Sequence, residues 1–405
     1  MVSIGRIHSE VFSNPRCSHT LMAQQITLST RFRDDVWLRM KNRPNMSENR
    51  IIRTVDLFAG CGGLVVGTIE ACRRLKIGHK IELANEWDQD ALEIFERNLN
   101  PTLAVCGDVS KLFNGSLNRK KLTKSETQLI EENPDIFEPD LLTGGPPCQG
   151  HSDLNNHSRR EDPRNALYYR MVRAAKVLRP KAIIIENVST VIHSKERVVQ
   201  QSQELLEKMG YHVEQVMLWA NEFGVPQKRK RHFLLASRVS DIDLSIFDQC
   251  RNKENRTLRW AIEDLHKEFP AEDTYNQPAN SNAENRARMD WLIDNNKWDL
   301  PNHLRPICHQ NGHNYPAVYG RMKWDEPSST ITAGFRSNGQ GRFTHPAAKP
   351  GRPLTPHEAA RIQTFPDWFS FDGHRPTTMS KAIGNAVPPL LAMYVALVAI
   401  NSIDI

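Results

Sequence analysis

Between Ile51 and Arg238, short apolar runs alternate with longer amphipathic stretches, and no feature restricts the fold of this chain more. Strand-like runs fall at 53–58, 81–85, 141–143, 182–186 and 232–237, and helical periodicity fills 63–74, 89–99, 166–178 and 195–209. Buried strands separated by helices predict an α/β fold with a mainly parallel sheet and helices on both faces. In such sheets ligands bind outside the carboxyl ends of the strands, so side chains placed there are the candidates for function.

Around this unit the pattern changes. Residues 1–50 are polar, without sustained periodicity, and are expected to be weakly ordered, with a short helix at most over 30–41 and Met46 an alternative start. Residues 240–350, rich in Asn, His, Pro, Arg and Trp, read as a smaller, loop-rich second domain. Residues 351–405 return to the first domain through helices expected at 355–363 and 380–400. The division is thus 1–50, 51–239, 240–350 and 351–405. The apolar run 390–400 is too short to cross a bilayer and is expected to be a packed helix.

Composition narrows the setting. The seven cysteines are odd in number and scattered without a C-x-x-C pair, against a disulfide framework or a zinc site and in favour of a reducing, cytoplasmic compartment. The net charge of +6 is compatible with a polyanionic partner without demanding one.

Five short motifs and one further residue, Asp108, carry chemistry. Thr54-Val55-Asp56-Leu57-Phe58-Ala59-Gly60-Cys61-Gly62-Gly63 is a strand, a glycine turn and a helix start, where backbone can approach a ligand closely and an anionic group is favoured. Asn85-Glu86-Trp87-Asp88 ends the next strand with a carboxylate suited to two ribose hydroxyls and an indole suited to an adenine. Asp108 ends a third strand and suits an adenine amino group. Thr143-Gly144-Gly145-Pro146-Pro147-Cys148-Gln149-Gly150 presents a thiol after a stiff Pro-Pro step and before a polar loop, a setting for a nucleophile rather than a packed cysteine. Ile185-Glu186-Asn187-Val188 brings a carboxyl group to the same edge, where partial desolvation is expected to favour its protonated form. Finally, Gln227-Lys228-Arg229-Lys230-Arg231 puts two arginines on one face of a strand, fit for a phosphate or a base carbonyl.

In this order, and followed by Arg352-Pro353-Leu354-Thr355-Pro356-His357-Glu358 and Ile383-Gly384-Asn385-Ala386-Val387-Pro388, the motifs resemble the bacterial-type DNA cytosine-5 methyltransferase family from about Thr54 to Val398. The resemblance implies a Rossmann-like fold that binds S-adenosylmethionine, with a smaller target-recognition domain. It implies methyl transfer to C5 of a cytosine flipped out of double-stranded DNA. It gives Asp56, Phe58, Gly60, Gly62, Glu86, Trp87, Asp108 and Asn385 to the cofactor. Cys148 becomes the nucleophile, Glu186 and Arg231 hold the base, and Arg352, Glu358 and Arg361 are scaffolding between the domains. DNA contacts are expected from Gln149, Ser152, Arg229, Arg321, Thr330, Thr332 and Arg336. His303, Arg305, His309, Asn311, His313 and Asn314 are further donors, and the loop 149–165 is the expected lid. A monomer without metal is expected, with a cognate restriction endonuclease as functional partner. Two other readings stay open: an RNA cytosine-5 methyltransferase, and a DNA-binding relative without activity.

Overall fold

A computed structural model describes residues 34–147, 165–193, 197–251, 255–265, 270–310 and 317–403. Its centre is a seven-stranded sheet: β1 (Ile51–Leu57), β2 (Gly78–Glu86), β3 (Leu103–Cys106), β4 (Leu141–Gly144), β5 (Ala182–Val188), β6 (His212–Trp219) and β8 (Lys230–Ser237). The two-residue β7 (Gln227–Lys228) lies outside it. The spatial order is β3-β2-β1-β4-β5-β8-β6. Neighbours are parallel from β3 to β5, and β8 runs antiparallel to both β5 and β6. This is the expected α/β fold. The expected strands omit β6, whose first half, His212-Val213-Glu214-Gln215, is largely polar and leaves only Val216–Trp219 continuously apolar.

Period-2 alternation divides the interior. Ala182 and Ile184 join a core with Ile52, Ile81 and Leu141, beneath α2 (Gly63–Arg74), α3 (Gln89–Leu99) and the last helix. Ile183 and Ile185 face the other way, with Val55, Leu83 and Leu142, on the side of α4 (Lys124–Glu132), α5 (Asn165–Leu178) and α6 (Val198–Lys208). A sheet buried on both faces explains why these strands read as unbroken apolar runs.

The helix expected at 380–400 is two helices, α9 (Pro376–Asn385) and α10 (Pro389–Asn401). Pro388 and Pro389 cause the break, since neither can donate to a preceding turn. α10 is buried along almost its whole length, which accounts for its apolar sequence. Gly67 lets α2 lie on it, because a Cβ there would collide with Ala392. α8 (Pro356–Ile362) starts with a capping box, in which Thr355 and Glu358 each bond the other's backbone N–H.

Weak order does not hold over residues 34–50. α1 (Asp34–Leu38) buries Trp37 and Leu38, and Asp34 pairs with Arg74 and Arg256. Arg39 pairs with Asp264, and Gly78 donates to the Arg50 carbonyl. The polar sequence hid this because few apolar side chains, Trp37, Leu38 and the partly buried Met46, anchor the segment, and ion pairs add to them. Residues 1–33 lie outside the described residues.

Within 240–350 regular structure is sparse: α7 (Ala283–Asp294), the short helices Ser245–Cys250 and Leu258–Ile262, several single turns, and β9 (Ser328–Ser329), which pairs with β7. Residue 240 is not a break in packing. Ile242, Ile246, Phe247, Leu258 and Ile262 belong to the same core as α10.

Candidate active site

The strand registers align the functional residues. Val105, Asn85, Leu57, Gly144 and Ile185 form one row across five strands. The next residue along each chain is Cys106, Glu86, Phe58, Gly145 and Glu186. The candidates therefore begin one step above a fully paired row, at the carboxyl edge.

On the β1–β2 side, Glu86 accepts from the Gly60 amide at 2.8 Å and from the Asp88 amide at 3.0 Å. Each oxygen keeps a lone pair for a further donor. Trp87 beside it is 75% exposed, an indole face left open at the edge. Asp108 is exposed and caps the next turn through the Ser110 amide. Asn85, absent from the expected set, ties the β2 and β3 ends by donating to the Val105 and Gly107 carbonyls.

The glycine turn is shaped for close approach. Phe58, Gly60 and Gly62 all have positive φ, a conformation glycine adopts freely and Phe58 is held in by its neighbours. A Cβ on Gly60 would meet nothing within 4 Å, whereas one on Gly62 would strike Leu99 and Phe95. Gly60 therefore borders open space and Gly62 lies against α3. Asp56, beneath the turn, is fully buried; Thr143 donates to Oδ1 at 2.5 Å and Oδ2 has no partner. Burial pushes its carboxyl up to about 7, partly opposed by the Thr143 hydroxyl. Asn385, exposed at the end of α9, lies beside Val387, whose carbonyl abuts Gly63. The orphaned carboxyl oxygen, the open face of Gly60 and the bare indole fit a nucleoside linked to an amino acid, such as S-adenosylmethionine.

On the β4–β5 side, Glu186 Oε1 pairs with Arg231 Nε at 2.7 Å, both side chains mostly buried. β8 makes this possible: Arg231 stands opposite Val188, one diagonal step from Glu186. The guanidinium compensates the charge of a carboxylate there. A Cβ at Gly145 would come within 3.1 Å of Glu186 Oε2, so the glycine before the prolines leaves room for the carboxyl group. Asn187 Nδ2 donates to the Pro146 carbonyl at 3.2 Å, fastening the Pro-Pro step to β5. Asn187 was legible only as part of its motif. Cys148, Gln149, Ser152 and the loop up to Arg164 lie outside the described residues, as do Asn311, His313 and Asn314.

Two expected DNA contacts are internal. Arg229 is 2% exposed and donates to the Ile331 and Gly384 carbonyls. It precedes β8 rather than extending it, so alternation does not carry it to the surface. Arg321 is 8% exposed, bonded to the Pro346 and Leu292 carbonyls, with its guanidinium 4.5 Å from the Trp298 ring centre. A domain with little regular structure uses such cations to satisfy backbone carbonyls. Thr330 and Thr332 are partly exposed, and Thr330 donates to the Lys228 carbonyl. Arg336 is half-buried, and burial lowers its pKa. His303 is exposed, Arg305 donates to the Leu300 carbonyl, and His309 packs edge-on against Tyr319. Arg352 forms two bonds to Glu358, and Arg361 pairs with Asp367 and Asp264. These pairs join α8 to the segments on either side.

The comparisons agree with this geometry. A family model for C-5 cytosine-specific DNA methylases matches residues 52–401. The chain is 42% identical to the Type II methyltransferase M1.BsuMI of Bacillus subtilis, over 90% of this chain and 84% of that protein. It is 30% identical to the Type II methylase M.HgiDII of Herpetosiphon aurantiacus, over 84% and 93% respectively. Among solved structures, a putative DNA modification methyltransferase encoded within an E. coli prophage shares the fold, with a TM-score of 0.59 and 23% identity over 86% of this chain and 99% of the other. With the family matched across nearly the whole described fold, the chain belongs to the C-5 cytosine-specific DNA methylases and is a DNA cytosine-5 methyltransferase.

Proposed function

We propose that this enzyme methylates a flipped cytosine in a specific duplex site, with Cys148 as nucleophile, Glu186 and Arg231 as the base-holding pair, and S-adenosylmethionine as methyl donor. The observation that carries the reading is the Glu186–Arg231 ion pair at 2.7 Å, beside the Pro146 carbonyl that Asn187 fixes and two residues from Cys148 in sequence.

The chemistry follows from what each group can do. Cytosine C5 is a weak nucleophile. Addition of the Cys148 thiolate to C6 makes C5 an enamine carbon, with negative charge developing on the N3 side. A proton shared between Glu186 and N3 would hold that charge, with the other carboxylate oxygen accepting from the exocyclic amine and Arg231 donating to the ring carbonyl. S-adenosylmethionine, when bound, supplies an electrophilic methyl group. Once C5 is methylated, its proton leaves to a base and the thiolate is expelled from C6, restoring the aromatic ring. Glu86 and Trp87 would hold the nucleoside end of the donor, Asp108 the adenine edge, and Asp56, Gly60 and Asn385 the amino-acid end. Unstacking the base costs a few kcal/mol, which contacts from residues 240–350 and the 149–165 loop would offset. Thr330, Thr332, Arg336, Gln149 and Ser152 are the DNA contacts that stay in this reading. The Type II names of the relatives support a role beside a restriction endonuclease recognising the same site.

Cys148→Ala should abolish methyl incorporation from labelled S-adenosylmethionine, at least 1000-fold, while leaving cofactor affinity within a few-fold of wild type. Wild-type enzyme should form a covalent complex with duplex containing 5-fluorocytosine, and the variant none. Incorporation into RNA alone, or equal loss of cofactor binding and activity in the variant, would overturn the reading.

A further inference from the structure

The buried cation Arg229 has no obvious use. Among the described residues it bonds no carboxylate, its Nε has no partner, and Arg231 beside it carries like charge. Burying a guanidinium on such terms is costly unless its contacts matter. Those contacts are specific: Nη1 donates to the Ile331 carbonyl at 2.9 Å and to the Gly384 carbonyl at 3.2 Å.

Two fully buried glutamines make a parallel connection. Gln227 accepts from the Ile331 amide at 2.8 Å and donates to Gln363 Oε1 at 2.8 Å. Gln363 in turn donates to the Ile383 carbonyl at 2.7 Å and the Ala386 carbonyl at 3.4 Å. Both backbone groups of Ile331, between Thr330 and Thr332, are therefore held by Gln227 and Arg229. Three carbonyls flanking Asn385 are held by Gln363 and Arg229.

Glycine packing continues the connection. A Cβ on Gly384 would run into the Ala333 amide, and one on Gly63 into the Val387 carbonyl. The chain from the threonine segment through Gly384 and Val387 to the start of α2 is thus in backbone contact throughout. A shift at either end has no slack in which to dissipate.

We propose that Gln227, Arg229 and Gln363 are positioning residues that couple the two ligand sites, so that duplex DNA on the threonine segment and cofactor beneath Asn385 each tighten the binding of the other. The inference rests on the methyl-transfer reading, but it concerns residues that touch neither ligand. Coupling of this kind is reciprocal, and a factor of about 5 to 150 is typical where two sites share a structural element.

The test is a linkage measurement on the full chain. S-adenosylhomocysteine is titrated calorimetrically with and without saturating sheared genomic duplex DNA, and DNA affinity is measured with and without S-adenosylhomocysteine. Wild type should show the same coupling factor, about fivefold or more, in both directions. Arg229→Met and Gln227→Met should bring it within about twofold of unity, and Arg229→Lys, which can reach one carbonyl, should restore part of it. Should Arg229→Met fail to fold, Gln227→Met carries the test, since an apolar isostere replaces a neutral amide. Folded variants that keep the wild-type factor, or wild type that binds the two ligands independently, would overturn the coupler and leave methyl transfer standing. Wild type that binds no S-adenosylhomocysteine would overturn the methyl-transfer reading itself.

Discussion

At the residue scale, Asp56 has the least ordinary environment in the proposed cofactor site. It is buried, with one oxygen satisfied by Thr143 and the other by nothing, and its carboxyl is pushed up to about 7. In the unfolded chain an aspartate releases its proton near 3.9, so between about 4 and 7 the folded state binds more protons. Stability of the cofactor-free protein should therefore fall across that window as pH rises. Asp56→Asn should remove this part of the slope, read as a smaller difference between urea unfolding at about pH 5 and about pH 8. An unchanged difference would mean that Asp56 does not titrate there. The motif Asp-Leu-Phe-Ala-Gly announced the residue, because strand, turn and helix follow from local sequence. Its partner Thr143 did not stand out, because the bond depends on β1 and β4 being neighbours although 87 positions separate the residues. Arg229 failed for the opposite reason: a run of cations reads as a solvated face, and only the tertiary structure shows that backbone carbonyls enclose one of them.

At the element scale, α2 and α3 matched their expected limits, since each has its own period and its own start signal, the Gly62 turn and the Asp88 cap. β6 did not show, and α1 showed only as a short stretch expected to be weakly ordered, because each depends on partners supplied from elsewhere: β6 on β8, and α1 on Arg74, Arg256 and the wall that buries Trp37. α1 can be tested by itself. Trp37→Ala should destabilise the protein by roughly 3–5 kcal/mol, the range for removing a buried tryptophan, and lower the thermal midpoint by several degrees. A chain begun at Met46 should lose at least as much, since it also removes the Asp34 carboxylate, leaving Arg256 without it and Arg74 with Glu70 alone. A midpoint within a degree of wild type in both would show that the segment only rests on the surface.

For the whole molecule, the joints between α8 and the segments around it are made of charge. Glu358 is fully buried, and burial alone would raise its pKa. His345, Arg352 and the Thr355 amide outweigh that and bring it down to about 2. Asp367 is likewise held well below the usual carboxylate range: burial works against this, and His357, Arg361 and Lys41 overcome it. Both carboxylates have folded values below their unfolded ones, so their contribution is complete above about pH 4.5 and is lost as pH falls towards about 2. Acid unfolding followed by circular dichroism should therefore begin below about pH 4.5. Arg352→Met, which leaves Glu358 without its bidentate partner, should cost roughly 3–5 kcal/mol and move the onset to higher pH. An onset that does not move would place the acid-sensitive groups elsewhere. The seating of α10 on α2 also bears on synthesis. More than three hundred residues separate the two helices, and at about 5–20 residues per second a ribosome needs roughly 15–60 s to cover that distance. Throughout that time the apolar side of α2 lacks its cover, and the nascent sheet can close over it only once α10 has been made and has emerged.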